Sequence, residues 1–386
     1  MKTPALLAAL LLTPLALFSQ QSPPEGRDTL GRFFEKAKSQ KPVTVAFLGG
    51  SITEGAGATN PAKSWRGLTS QWLRKQYPVA QWTFLNAAIG GTGSDLGVYR
   101  VRQEILDRAA PDLVFVEFAV NDQWGSDRSK IAAQMEGIVR QIRTANPRAN
   151  VVFVYTISRQ ILDGYLQGNP RLSTAVHKEV AAHYKLPEID LQAGILDSVK
   201  KGEHVWEDYW MDTAHPNDRG HARYAEQVTG FLEAQSALPP APAPELPPAL
   251  VSSSLEHARL QPIPAKNAEG WSEVPPMEPF RSPRVQHIVE TTTVGGTLDT
   301  EFEGPSVGVY FECGPDTGLF EVTVDDLPPM KIATFDPKIP FRRLNCRILK
   351  SDLPPGKHRL RIVNCEPQAG SSGSVVRLGG LLVLAP

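Results

Sequence analysis

Ser51 stands in "FLGGSITEGAG" (47–57), directly after an apolar run, with two glycines before it and an isoleucine after. A serine in such a place either caps the turn that follows or serves as a nucleophile. The second role needs a base within reach, a carboxylate to orient that base, and donors for an oxyanion. Base and carboxylate are both offered by "YWMDTAHPNDRGHARYAEQ", where Asp212 and His215 lie three residues apart in a loop before a helical stretch. Within one turn such a pair lies side by side, so the carboxylate can accept from one imidazole nitrogen and leave the other facing the nucleophile. Pro216 and Gly220 stiffen that loop. Oxyanion donors are available in two more stretches. In "LNAAIGGTGSDLG" Gly91 lets a backbone N–H approach a substrate with no side chain in the way, and "FVEFAVND" sets the Asn121 amide at a strand end. Together these groups could transfer an acyl group through a covalent serine intermediate.

Something must bring them to one rim. From residue 43 to about 235, short apolar runs alternate with amphipathic stretches. The runs "VTVAFL" (43–48), "WTFLNA" (82–87), "LVFVEFA" (113–119) and "VVFVYT" (151–156), with a weaker "PEID", read as strands. Segments 65–77, 96–109, 129–144, 172–185 and 220–235 read as helices. Runs rich in Val, Phe and Leu without strict alternation suit strands buried on both faces. The spacing therefore predicts a three-layer α/β/α sandwich around a parallel sheet, with ligands beyond the carboxyl ends of the strands.

The four stretches, in this order, resemble the SGNH/GDSL hydrolase superfamily, in its GGSIT-type, carbohydrate-esterase-like form, over roughly residues 40–235. The resemblance implies Ser51 as nucleophile with its own N–H as one oxyanion donor, Gly91 and Asn121 as the others, and Asp212 with His215 as the acid–base pair. It implies no metal and no organic cofactor. Two positions depart from the family pattern: Gly50 stands where Asp often precedes the serine, and Ala119 where the third block commonly has glycine. Neither carries a reacting group.

Other constellations fit less well. Thr53 occupies the place of the second glycine in a G-x-S-x-G elbow. Leu96 interrupts the dinucleotide-like run Gly91, Gly93, Gly97, and there is no P-loop lysine. Asp212, His215 and His221 could hold a metal, but His221 falls in the following helix and reads as a helix-start residue that packs over or bonds the His215 loop. His177 and His183 share no helix face and read as surface or core residues. Trp206, Tyr209 and Trp210, with Trp124 just after Asn121, could form an aromatic wall on which sugar rings stack.

The 386-residue chain is long enough for two domains with real cores, and its 40 Lys and Arg against 41 Asp and Glu give no field that would gather nucleic acid or an anionic membrane. Residues 1–19 read as a signal peptide, one positive charge followed by an apolar stretch too short to span a bilayer, so the expected location is secreted or periplasmic, with no membrane span in the mature chain. Domain boundaries are expected at 26–235 for the hydrolase, 236–250 for a Pro/Ala-rich linker acting as an extended, stiff spacer, and 251–386 for an all-β domain. Alternating runs such as "GVYFEC", "LFEVTVDD", "HRLRIV" and "VVRLGGLLVL" predict a β-sandwich, loosely similar to the galactose-binding-like jelly rolls of carbohydrate-active enzymes. Cys313, Cys346 and Cys365 match no zinc spacing and read as buried small hydrophobes. The expected activity is a serine esterase that takes small acyl groups, acetyl above all, from carbohydrate. The alternatives are a lipase-like or thioesterase-like acyl hydrolase using the same groups, or an envelope protein that binds carbohydrate without turnover.

Overall fold

The computed structural model describes residues 26–203, 206–252, 254–264, 268–275, 288–338 and 340–385; the expected signal peptide and His204 lie outside them. Five strands, β1 (Pro42–Gly49), β2 (Gln81–Ala88), β3 (Leu113–Glu117), β4 (Asn150–Tyr155) and β5 (Glu188–Asp190), form one parallel sheet in the order β2-β1-β3-β4-β5. Residues of β3 and β4 are buried throughout, as strands covered on both faces must be. Successive side chains divide between two cores. Val45, Phe47, Phe115, Val152 and Val154 pack with helices Trp65–Gln76 and Asp218–Ser236, whereas Ala46, Leu48, Val114, Val116 and Phe153 pack with helices Ser94–Val101, Arg128–Ala145 and Leu172–His183. The chain leaves β1 toward the first face and β3 toward the second, so a crevice opens between their carboxyl ends.

The second domain is two antiparallel sheets facing each other across a core that includes Val309, Phe311, Phe320, Ile362 and Leu381. One sheet orders Met330–Ala333, Leu319–Val324, Lys357–Asn364, Thr297–Glu303 and Ala268–Glu269; the other orders Arg343–Lys350, Val307–Cys313, Val376–Leu384, Ile288–Thr291 and Ser272–Val274, with Ala258–Gln261 paired beside Val376–Leu384. Lys357–Asn364 alternates exposed and buried residues, the mark of a sheet with one wet face. Val307–Cys313 is buried along its whole length, because the back of its sheet lies against the α/β domain. Ala258, Ile288, Tyr310, Leu344 and Leu382 join the same apolar cluster as Leu96, Val98, Ile138 and Ile142.

Beyond Ser236, which ends helix Asp218–Ser236, the Pro/Ala-rich segment has no regular helix or strand and is bonded along the first domain. Prolines have no N–H to offer, so their carbonyls are what remains to be satisfied. Arg32 donates to the carbonyls of Ala241 and Pro242, Arg140 to that of Pro247, and His183 Nε2 lies 2.8 Å from that of Pro248. At the far end the buried Glu136 carboxylate accepts the N–H groups of Leu250, Val251 and Ser252 and the hydroxyl of Tyr184. Among the described residues no helix is long and apolar enough to cross a membrane.

Candidate active site

Ser51 opens a short helical turn, Ser51–Glu54, immediately beyond β1. Its Oγ lies 2.8 Å from His215 Nε2, and His215 Nδ1 lies 2.7 Å from Asp212 Oδ2. The other carboxylate oxygen accepts the N–H groups of Ala214 and His215 at 2.7 and 2.8 Å. Desolvation, the largest single influence on this carboxyl, pushes its pKa up, but the His215 ring and these two N–H groups outweigh it and hold Asp212 below the ordinary carboxylate range. An ionised Asp212 only accepts, so Nδ1–H donates to it and Nε2 is left as an acceptor facing Ser51 Oγ.

Asp212 and His215 belong to the loop 210–217, whose shape is set locally. The Met211 N–H donates to the His215 carbonyl, the Trp206 indole donates to the Asp212 carbonyl, and Asn217 Oδ1 caps helix Asp218–Ser236 by accepting from Arg219 and Gly220. Asp218, in turn, accepts from Thr59 and from Lys63 at 2.7 Å, tying this loop to the one after Ser51.

The expected donors converge on the same rim. Asn121 follows β3 with its side chain directly over Gly50; a β-carbon at Gly50 would stand 2.0 Å from Asn121 Oδ1, so a larger residue here requires the amide to shift. The glycine before the serine, where the family often has Asp, therefore makes room for the amide. Gly91 has φ +75°, and among the described residues neither its N–H nor that of Ser51 donates to another group. The neighbouring Gly90 N–H is already taken by Glu54 Oε2 at 2.8 Å.

Supports for these loops escaped the sequence reading. Asp122, next to Asn121, accepts the Ser94 N–H at 2.9 Å and meets the buried His177 Nε2 at 3.0 Å, so one carboxylate joins the Gly91 loop to the Asn121 loop. Buried Arg100 donates to the carbonyls of Gly49, the last residue of β1, and of Ala87, the next to last of β2, and pairs with Glu104. His221, expected to pack over or hydrogen-bond the His215 loop, makes its hydrogen bonds to the other side: its Nδ1 accepts the Trp65 N–H and its Nε2 donates to the Ala56 carbonyl, bracing the loop after Ser51. Desolvation lowers its pKa, in keeping with a neutral ring.

The aromatic expectations divide. Trp206 and Trp210 stack on each other at 4.1 Å between ring centroids and belong to the apolar core, with Tyr209 packed beside them under Arg219. The Trp206 indole supports the Asp212 loop, and the two tryptophans form no wall, because both are buried in the core. Trp124 is 68% exposed and lines a cavity of about 410 Å³ that begins at Gly91 and Asn121. The opposite wall of that cavity is the second domain's Arg343, Leu344, Asn345 and Cys346. Cys346 Sγ lies 3.5 Å from Asp95 Oδ2 across the domain boundary; Cys313 is buried, and none of the three cysteines is bridged. No local signal in "RRLNCRIL" marks it as a cavity wall, since only packing between domains puts it there.

A parallel α/β/α sandwich with these residues at its strand ends, in this chain order, is the arrangement expected of an SGNH-type domain. Residues 47–223, within the α/β domain, match the model of the GDSL-like Lipase/Acylhydrolase family. The whole two-domain arrangement is similar to the crystal structure of a two-domain esterase (CEX) active on acetylated mannans, at 23% identity, covering 92% of this chain and 95% of that one with a TM-score of 0.81. The same esterase co-crystallized with mannopentaose matches at 23% identity, 92% and 94% coverage and a TM-score of 0.80. No curated protein matches the chain.

Proposed function

We propose that this protein is an exported serine esterase that removes small acyl groups, acetyl above all, from a carbohydrate. The observation that carries the reading is the chain of contacts Ser51 Oγ–His215 Nε2 at 2.8 Å and His215 Nδ1–Asp212 Oδ2 at 2.7 Å, set beside Gly91 and Asn121. Support for the substrate class comes from the two-domain neighbour, itself active on acetylated mannans, and from a cavity between the domains of the size small-molecule sites have. Export rests on the apolar segment at 1–19.

In this mechanism His215 Nε2 takes the Ser51 proton as Oγ attacks the ester carbonyl. Charge on the tetrahedral oxygen rests against the N–H groups of Ser51 and Gly91 and the Asn121 amide, and Asp212 steadies the imidazolium. His215 then protonates the leaving sugar oxygen. Water, activated by the same nitrogen, releases the acid and restores Ser51.

The test is hydrolysis of acetylated sugars and of acyl esters of increasing chain length by the wild type and by Ser51→Ala. Acetyl-sugar cleavage that falls by at least ~10³-fold in the variant is the expected result. Preference for long acyl chains would overturn the substrate assignment, and a variant as active as the wild type would overturn the enzyme.

A further inference from the structure

The nucleophile turn stands on a buried acid. Glu117, the last residue of β3, is 1% exposed, and the hydrogen bonds its carboxylate makes to described residues both come from hydroxyls. Thr53 Oγ1 donates to Oε2 at 2.9 Å and Thr156 Oγ1 donates to Oε1 at 2.6 Å. Burying a carboxylate with no cation against it is costly, and an apolar or amide side chain of similar size would fill the space at less cost. Thr53 lies two residues after Ser51 in the same turn, and Thr156 follows the end of β4. One side chain therefore spans the ends of three neighbouring strands: it leaves β3, reaches the turn beyond β1, and reaches the end of β4.

We propose that Glu117 is a positioning residue whose ionised carboxylate, acting through the Thr53 hydroxyl, fixes the turn that aims Ser51 Oγ at His215 and at the oxyanion donors. The inference rests on Ser51 being the nucleophile. An ionised carboxylate accepts at both oxygens and so directs both hydroxyl protons inward; a protonated one must donate, and one threonine has to turn its own proton elsewhere. Desolvation raises the Glu117 pKa to about 7, while Thr156 and Thr53 pull it down and Asp122 pushes it up. The titratable groups facing it are Asp122, from the loop after β3, and Tyr224, from helix Asp218–Ser236, whose oxygen accepts the Ile157 N–H.

The sign of the stability effect is opposite to that of an ordinary salt bridge. Between the usual value near 4.5 and about 7 the folded protein holds a proton that the unfolded chain has released, so stability falls as pH rises through this window. Removing the ionisation should therefore stabilise the fold in mild alkali while slowing the reaction.

The experiment compares wild type, Glu117→Gln, Thr53→Val and Thr53→Ser for kcat and KM on an acetyl ester across pH, for Tm in acid and in mild alkali, and for labelling of Ser51 by a fluorophosphonate. Glu117→Gln is expected to lower kcat by ~10- to 100-fold with KM changed less than ~2-fold, as a small misplacement of a reacting group does. Its Tm above neutral pH should exceed that of the wild type. Thr53→Val should match the loss in kcat, Thr53→Ser should restore it, and the double variant Glu117→Gln/Thr53→Val should be no slower than either alone. Unchanged kcat in Glu117→Gln, or kcat that falls only as Tm falls, overturns the role; if Glu117→Gln does not fold, equal rates in the two Thr53 variants overturn it. A wild type that is neither labelled nor active overturns the esterase reading itself, and the role with it.

Discussion

At the scale of single residues, the proposed mechanism separates groups expected to react from groups that hold them. His215→Ala should abolish ester turnover, whereas Asp212→Asn should leave part of it, because the nucleophile, base and oxyanion donors stay in place. Asn121→Ala is expected to lower kcat by ~10²- to 10³-fold, the usual loss on removing one oxyanion donor. Gly91→Val places a branched side chain at φ +75°, so kcat should fall more than KM rises. Rates under saturating and limiting substrate distinguish these cases, and an effect of Gly91→Val on KM alone would remove it from the oxyanion hole. That Ser51, Asp212 and His215 would meet was legible because each sits in a short stretch with its own chemical logic: glycines around Ser51, and an aspartate and histidine one turn apart. Glu117 was within the quoted "FVEFAVND" yet passed unnoticed, because its partners Thr53 and Thr156 come from other strands. His177 looked unremarkable on its own helix; only the fold delivers Asp122 to it.

At the scale of elements, apolar runs located the strands well and helices less evenly. Helices Trp65–Gln76, Arg128–Ala145, Leu172–His183 and Asp218–Ser236 fall within a residue or two of expectation, since each carries a long apolar stripe. Gly31–Ala37, Arg159–Leu166 and Leu191–Lys200 were not foreseen; they are short, and two contain an internal glycine that weakens the pattern. The segment expected as a helix over 96–109 instead begins at Ser94 and passes into a wider π turn at Arg102–Leu106. The Pro/Ala-rich segment was legible as free of helix and strand, but its attachment was not, since Glu136 lies on a helix more than a hundred residues earlier. Desolvation, the largest influence on Glu136, raises its pKa, but the Tyr184 hydroxyl and the three N–H groups outweigh it, and the net pKa is lowered. Its contribution to stability is therefore present above the ordinary carboxylate range and is lost as pH falls through the folded value. Glu136→Ala should cost ~3 kcal/mol or more by leaving several N–H groups without an acceptor, as read by denaturant unfolding near neutral pH.

At the scale of the whole molecule, the two domains share a core. A sandwich normally wets its outer faces; here the back of one sheet covers Leu96, Val98 and Ile138, and Gln141 donates both to the Val98 carbonyl and to that of Leu255. Heat should therefore unfold the chain in a single cooperative transition, and two separated calorimetric peaks would contradict a shared core. A chain ending at residue 252 would uncover that apolar surface and remove Arg343 and Asn345 from the cavity, so it should lose solubility and cleavage of sugar esters. The same architecture changes what limited proteolysis can do. Proline-rich connectors are where proteases usually part a two-domain chain, because a peptide must become extended and free to enter the protease cleft. Between 241 and 252 the backbone is held by Arg32, Arg140, His183 and Glu136, and many of its bonds precede proline. Subtilisin, which needs no Lys or Arg, should nick this protein elsewhere first, and dissecting it into its two domains by digestion should fail.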